Sequence, residues 1–197
     1  MERGIAYKED RLHGAANRKK LADTSWLFRE TLNPETFIIV PEVSSEKRKY
    51  VPMVFLSDDT IPPNLVHIIP DAKIYHFGVL TSNVNMAWMR SVAGRLEMRY
   101  RYTKDIVYNN FPWPEPTDAQ KEKIERTAQG ILDARANYPD ASLADLYDEL
   151  TMPLELLSVH KANDRAVMEA YGMWGKVHSE AECVAWLFRL YQELTRQ

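Results

Sequence analysis

Between Phe111 and Pro116 the chain reads Phe-Pro-Trp-Pro-Glu-Pro. Proline fixes φ and donates no backbone hydrogen bond, so three prolines at alternate positions exclude both a continuing helix and a central strand. The segment is extended, with Phe111 and Trp113 as apolar anchors, and it divides the chain. Charge changes sign across it. From Met1 to Pro112 there are 16 Lys and Arg against 13 Asp and Glu, and from Trp113 to Gln197 there are 9 against 15. A mildly basic front half and an acidic back half imply two modules with different partners, over residues 1–115 and 116–197.

The two halves also differ in pattern. Before the linker, Thr36–Val40, Tyr50–Leu56, Val66–Ile69 and Lys73–Leu80 are short β-branched and aromatic runs between turn residues, and they predict strands. Asn83–Val92 predicts a helix, with Ser82 as its cap and Gly94 just past its end. Leu96–Tyr102 alternates as a strand does, and Ile106–Phe111 is expected to close a hairpin or pair beside it. After the linker everything reads as helix. Thr117 and Gln120 form a capping box, followed by the stripe Ile124, Ala128, Ile131, Leu132. Ser142 opens a short helix, Thr151 with Pro153 behind it opens another that stops at Gly172, and Ser179 with Glu182 opens the last. Val184, Leu187, Phe188 and Tyr191 form that helix's apolar stripe. The expected fold is α+β: a mixed recognition domain, then an all-helical domain.

Several function classes fall away. No apolar run approaches the ~20 residues that cross a bilayer, and Met1–Gly14 has no secretory h-region, so no membrane partner and a cytoplasmic location are expected. One cysteine, Cys183, excludes an internal disulfide and a multi-cysteine zinc site. It reads as a buried small hydrophobe. The five histidines, His13, His67, His76, His160 and His178, are scattered, none at metal-ligand spacing. Asp58-Asp59 reads as a turn before Pro62-Pro63. Seven glycines form no phosphate or cofactor loop, and GxGxxG, Walker, HExxH and GxSxG motifs are absent. The chain is expected to hold no catalytic site, no metal and no cofactor of its own.

Two segments stand above this background. In Val43–Tyr50, the hydroxyls of Ser44 and Ser45 precede Lys47, Arg48 and Lys49 between two predicted strands. Hydroxyls and backbone N–H groups donate to phosphate oxygens while Lys and Arg neutralise charge. The same composition also suits a solvated hairpin loop. The second is Arg90–Lys104, with five cations and Glu97 as its lone acid. On a strand, Glu97, Arg99 and Arg101 share one face and Leu96, Met98, Tyr100 and Tyr102 the other, with Glu97 and Arg99 roughly 6.5–7 Å apart. A carboxylate accepts from cytosine N4 and an arginine donates bidentately to guanine O6 and N7, so such a pair suits one C·G base pair. A surface strand with self-balancing charges is the plainer alternative.

These segments carry a resemblance. His76–Arg90, Gly94–Tyr102 and Val107-Tyr-Asn-Asn-Phe-Pro-Trp-Pro114 resemble the target-recognition domain of MmeI-like enzymes, the bacterial Type IIL restriction–modification proteins and related single-chain adenine DNA methyltransferases. Pro41–Arg48 resembles that family's strand-loop segment. Leu146–Leu157, Asp164–Val167 and Ala170-Tyr-Gly172 resemble its helical C-terminal domain, so the likeness covers essentially the whole chain. It implies double-stranded DNA as partner, with base reading among the charged positions of Gly94–Tyr102: Glu97, Arg99 and Arg101. It also implies an upstream S-adenosylmethionine-dependent N6-adenine methyltransferase domain, and in many members a nuclease. The Asn-Pro-Pro-aromatic motif and the PD-(D/E)xK set of those domains do not occur here. The sequence is thus expected to be the recognition part of a longer enzyme, with S-adenosylmethionine bound elsewhere. A non-catalytic adaptor built on the acidic helical half is the alternative from another class.

Overall fold

A computed structural model describes residues 35–57 and 65–196. The amino-terminal stretch with His13, and the Asp58-Asp59 and Pro62-Pro63 turn, lie outside the described residues.

The first sheet is built on β1 (Thr36–Pro41), flanked by antiparallel β3 (Val54–Ser57) and β4 (Val66–Pro70) in the order β3-β1-β4. Phe37–Val40 are all buried. A continuous apolar run is what a strand covered on both faces needs. Ile38 pairs with Phe55 on one side and Ile69 on the other. Tyr50, Val51 and Met53, expected to begin a strand, are buried without joining the sheet.

Lys73–Leu80 is not a strand. Ile74–Leu80 forms helix α1, with Tyr75, Phe77, Gly78, Val79 and Leu80 buried. A short run buried all round shows neither a period of 2 nor of 3.6, and the internal Gly78 lowers helix propensity further. Helix α2 (Asn83–Val92) follows as predicted, and the Ser82 hydroxyl accepts from the Asn85 N–H at 3.4 Å. Gly94 is not its left-handed stop: Ala93 ends the helix in extended conformation, and Gly94 starts the next strand without a positive φ.

The second sheet has the order β2-β6-β5, from β2 (Val43–Ser44), β6 (Arg99–Arg101) and β5 (Gly94–Leu96). The predicted strand Leu96–Tyr102 is thus a hairpin turned at Glu97-Met98. Leu96 and Met98, expected on the core face, are 46% and 69% exposed, whereas Tyr100 and Tyr102 are buried as expected. Ile106–Phe111, expected to close a hairpin or pair beside Leu96–Tyr102, forms no strand: Lys104–Tyr108 is a π-helical turn. The Asn110 amide closes it by donating to the carbonyls of Asp105 and Ile106, a side-chain device that no periodicity announces. Glu42 joins the sheets: its N–H donates to the Leu65 carbonyl and its carbonyl accepts from the Tyr102 N–H.

The linker packs as anchored. Phe111 is buried, Trp113 lies edge-on to Phe111 and His76, and the Pro112 carbonyl accepts from the Tyr171 hydroxyl at 2.8 Å. Helices α3 (Asp118–Ala136), α4 (Leu143–Leu146), α5 (Leu154–Ala170) and α6 (Glu180–Thr195) follow. The Thr117–Gln120 capping box and the stop at Gly172, φ 67°, are present. Helix α4 is shorter than predicted, and α5 is entered through Pro153 rather than Thr151. Ser179 caps α6, but Glu182 reaches back to the His178 N–H. Phe188 and Tyr191 pack on Trp88 of α2. Among the described residues after 116 there is no strand.

Residues on both sides of the linker share one hydrophobic core, from Ile38 to Leu187. A polar network crosses the same seam. The Tyr50 hydroxyl donates to Asp164 at 2.6 Å, and Asp164 also accepts from the Asn83 N–H at 2.7 Å, satisfying an orphan donor at the start of α2. Tyr50 stacks on His160 at 4.2 Å between centroids. The Tyr147 hydroxyl lies 2.6 Å from His160 Nε2 and accepts from Arg135, whose guanidinium also donates to the Met53 carbonyl.

Candidate nucleic-acid interface

The register of the second sheet decides which groups share a surface. Leu96 faces Arg99, Arg95 faces Tyr100, and Gly94 and Val43 flank Arg101. Directly opposed residues point to the same face. Tyr100 and Ser44 turn inward and are buried. Arg99 and Arg101 therefore lie on the outward face with Leu96, all exposed. Antiparallel pairing of β2 with β6 sends the chain out of Ser44 toward the end of the sheet where the Glu97-Met98 turn lies. The basic loop 45–49 thus starts out on the hairpin-tip side, while its far end, Lys49, lies beside the Tyr50 ring with its carbonyl held by Arg90.

Glu97 is at the tip, not on a strand, and takes a φ of 56°. Gly, Asn or Asp is usual at such a turn position, so a glutamate there is held against a local conformational cost. Its carboxylate accepts from Arg99 Nη2 at 2.9 Å, with the two side chains 75% and 52% exposed. The two-residue proximity expected of a strand is achieved by a turn. The arginines divide by partner. Arg95 lies 3.8 Å above the Tyr100 ring and donates to the Met98 carbonyl, bracing the turn. Arg90, counted with the basic stretch, donates to the Lys49 carbonyl at 2.6 Å and pairs with Glu180 at 2.9 Å. It ties the basic loop to α2 and α6. The Arg101 side chain has no hydrogen bond or ion pair among the described residues.

In the loop, the Ser45 hydroxyl accepts from the Lys47 N–H at 3.3 Å and its carbonyl from the Arg48 N–H at 3.2 Å. That compact turn leaves Lys47 and Lys49 exposed and Arg48 half-buried. Ser44 is a correction: it is 3% exposed, paired opposite Tyr100, and its hydroxyl is closed to a phosphate. Arg90 as a brace and Tyr100 as a platform were missed from sequence. Only the register shows them, and the turn at Glu97-Met98 lacks the Gly or Asn that would have announced it.

Other titratable groups serve the framework. Burial pushes the Cys183 thiol up to about 12. His76 accepts the Lys73 N–H at 2.8 Å, and burial with the nearby Lys73 and Lys121 lowers its pKa. His67 Nε2 lies 3.0 Å from the Tyr102 carbonyl. No group of three or more His, Cys, Asp or Glu among the described residues is arranged to hold a metal. No described helix is long and apolar enough to cross a membrane.

A small sheet with an arginine-bearing outer face, braced by a bundle of helices, matches known proteins over its whole length. Residues 2–115 match the family model described as the MmeI target recognition domain, and residues 116–197 match the MmeI C-terminal domain. This is the class of target-recognition domains joined to a helical C-terminal domain. The chain belongs to the MmeI family. DNA methyltransferase A of Bacillus subtilis (strain 168) is 43% identical over 179 residues, 90% of this chain and 20% of that protein. The Type IIL restriction-modification enzyme MmeI, solved in complex with DNA, is similar at 42% identity and a TM-score of 0.83, over 96% of this chain and 26% of that one. The chain therefore spans about a fifth to a quarter of the relatives it matches.

Proposed function

We propose that this chain reads the target sequence in double-stranded DNA for an S-adenosylmethionine-dependent N6-adenine DNA methyltransferase of the restriction–modification type. In this reading residues 1–115 form the recognition domain and residues 116–197 the helical support. The methyltransferase domain, a partner outside this chain, binds the methyl donor and carries out the chemistry. The observation that carries the reading is the Glu97–Arg99 pair, exposed at a hairpin tip where the backbone favours glycine. A small projecting hairpin fits the major groove, which admits a two-stranded ribbon.

Glu97 accepts from cytosine N4 while Arg99 donates to guanine O6 and N7 of the same pair, and Arg101 reads a neighbouring base. Ser45, Lys47, Arg48 and Lys49 hold phosphates. Breaking the 2.9 Å Glu97–Arg99 contact on binding costs little, because both groups are well exposed.

The test is methylation-site sequencing of the methyltransferase carrying this recognition segment. Glu97→Lys with Arg99→Asp reverses the polarity of the pair, and the expected outcome is a shift from C·G to G·C at one position. Either single change relaxes that position alone. If every variant keeps the parental site, Glu97 and Arg99 are ordinary surface charges.

A further inference from the structure

Gly94 sits directly opposite Arg101 on the outward face of the second sheet. Nothing among the described residues asks for glycine there. Its φ is not in the left-handed region, it does not close α2, and a Cβ built on it meets no atom within 4 Å. Glycine in a strand sacrifices backbone entropy and leaves no side chain to pack, and it often marks a place where another molecule approaches the backbone closely. Its neighbours are all occupied: Arg95 covers Tyr100, and Leu96 stands beside Arg99. Among the described residues, only beside Arg101 is the face bare on the β5 side, and Arg101 is also the arginine of the hairpin whose side chain has no partner there.

We propose that Gly94 is a specificity-determining residue: its missing side chain leaves the notch through which a base-pair edge reaches the Arg101 guanidinium. The inference rests on the reading of this sheet as the DNA-contacting face. Van der Waals clearance decides the matter. A guanidinium donates bidentately to guanine only when the base edge comes within hydrogen-bond distance, 2.7–3.2 Å between heavy atoms. A branched side chain on the adjacent strand, roughly 5.5 Å or less away between α-carbons, stands in that approach. Gly94 acts by what it does not place there, so it positions the DNA rather than contacting it through a functional group.

The experiment uses the purified methyltransferase carrying this recognition segment with a randomised duplex pool, sequencing the bound fraction for the wild type, Arg101→Gln, Gly94→Val and Gly94→Ala. The wild type enriches a motif, and Arg101→Gln identifies the base pair that Arg101 governs. Gly94→Val is expected to lose preference at that same pair by on the order of tenfold or more, keep the other positions, and melt at an unchanged or higher temperature. Gly94→Ala is expected to fall between. If Gly94→Val keeps the preference at the Arg101 pair, or if both Gly94 variants weaken every position together, the notch is not a specificity device. A wild-type enzyme that enriches no sequence overturns the DNA-reading assignment itself, a result distinct from either.

Discussion

Asp164 and His160 lie one helical turn apart on α5, and burial acts on them in opposite senses. Burial pushes Asp164 up to about 6, with the hydrogen bonds from Tyr50 and Asn83 and the nearby Lys49 pulling the other way. Burial, helped by Arg135 and Lys49, pushes His160 down to about 3. His160 is therefore neutral in the folded chain, which suits Nε2 as the acceptor of the Tyr147 hydroxyl and leaves the ring proton on Nδ1. The two groups have opposite linkage. The unfolded chain takes up a proton at His160 near the ordinary imidazole value of 6.5, so His160 contributes stability above that pH and loses it progressively as pH falls toward 3. Asp164, with its folded pKa raised, contributes stability below the ordinary carboxylate value of 3.8 and loses it as pH rises toward 6. The displacement of His160 is the larger, so the net expectation is a falling melting temperature from pH 7 to pH 4.5, moderated by Asp164. His160→Gln keeps an acceptor for Tyr147 without a titrating ring, and its melting temperature should fall less over the same interval, each protein compared with its own value at pH 7. An equal fall in both proteins would mean that acid stability is set elsewhere.

At the scale of elements, Gly78 shows what the sequence could not. Helix α1 crosses α3 and α5 so closely that a Cβ on Gly78 meets Ile124 Cγ2 at 2.7 Å, Ala128 Cβ at 3.0 Å and Asn163 Oδ1 at 3.2 Å. Asn163 in turn donates to the Gly78 carbonyl at 2.8 Å. Gly78→Ala gains up to about 1 kcal/mol of helix propensity but strikes three fully buried side chains, one of them an alanine that has no rotamer to change. Overpacking of this kind costs typically about 1–3 kcal/mol, so chemical denaturation should show a net loss of stability, and a gain would mean that the helices part easily. The glycine that makes the crossing possible also disguised α1, since Gly78 within an apolar run argues against a helix when packing is unknown. The elements that announced themselves have local causes: the Thr117–Gln120 box, the Ser82 cap, the stop at Gly172, and the prolines of 112–116. Those that did not announce themselves carry no turn or periodicity signal in their residue types. The hairpin at Glu97-Met98 turns on a glutamate with positive φ, and the π-helical turn is closed by Asn110. For the site, the sequence named Glu97, Arg99 and Arg101 as a group, yet the reason it offered, one strand face, holds for Arg99 and Arg101 and not for Glu97. Ser44 was read as polar and available, and its pairing opposite Tyr100 buried it.

For the molecule as a whole, net charge and local charge point in different directions. The chain is net −3, which by itself disfavours a polyanion. Mobile ions, however, screen exposed charges beyond about 8 Å at physiological ionic strength, so acidic groups remote from the second sheet and its loop weigh little against Lys47, Arg48, Lys49, Arg99 and Arg101. The helical half also supports that loop, because Glu180 at the start of α6 holds Arg90, and Arg90 holds the Lys49 carbonyl. The two kinds of contact should therefore separate by salt. Each phosphate neutralised releases counterions and contributes about 0.9 to the slope of log affinity against log salt. Ala in place of Lys47, Arg48 or Lys49 is expected to weaken binding to every duplex alike and to flatten that slope by about 1 for each residue that contacts a phosphate. Glu97→Gln, which removes an acid rather than a phosphate contact, should leave the slope essentially unchanged while relaxing one base position. Fluorescence anisotropy across a salt series, with an enriched duplex and a scrambled one, reads both quantities. Loss of sequence preference in the Lys47, Arg48 or Lys49 variants would transfer that residue from the phosphate-holding set to the base-reading one, and a slope unmoved by all three would place the loop away from DNA.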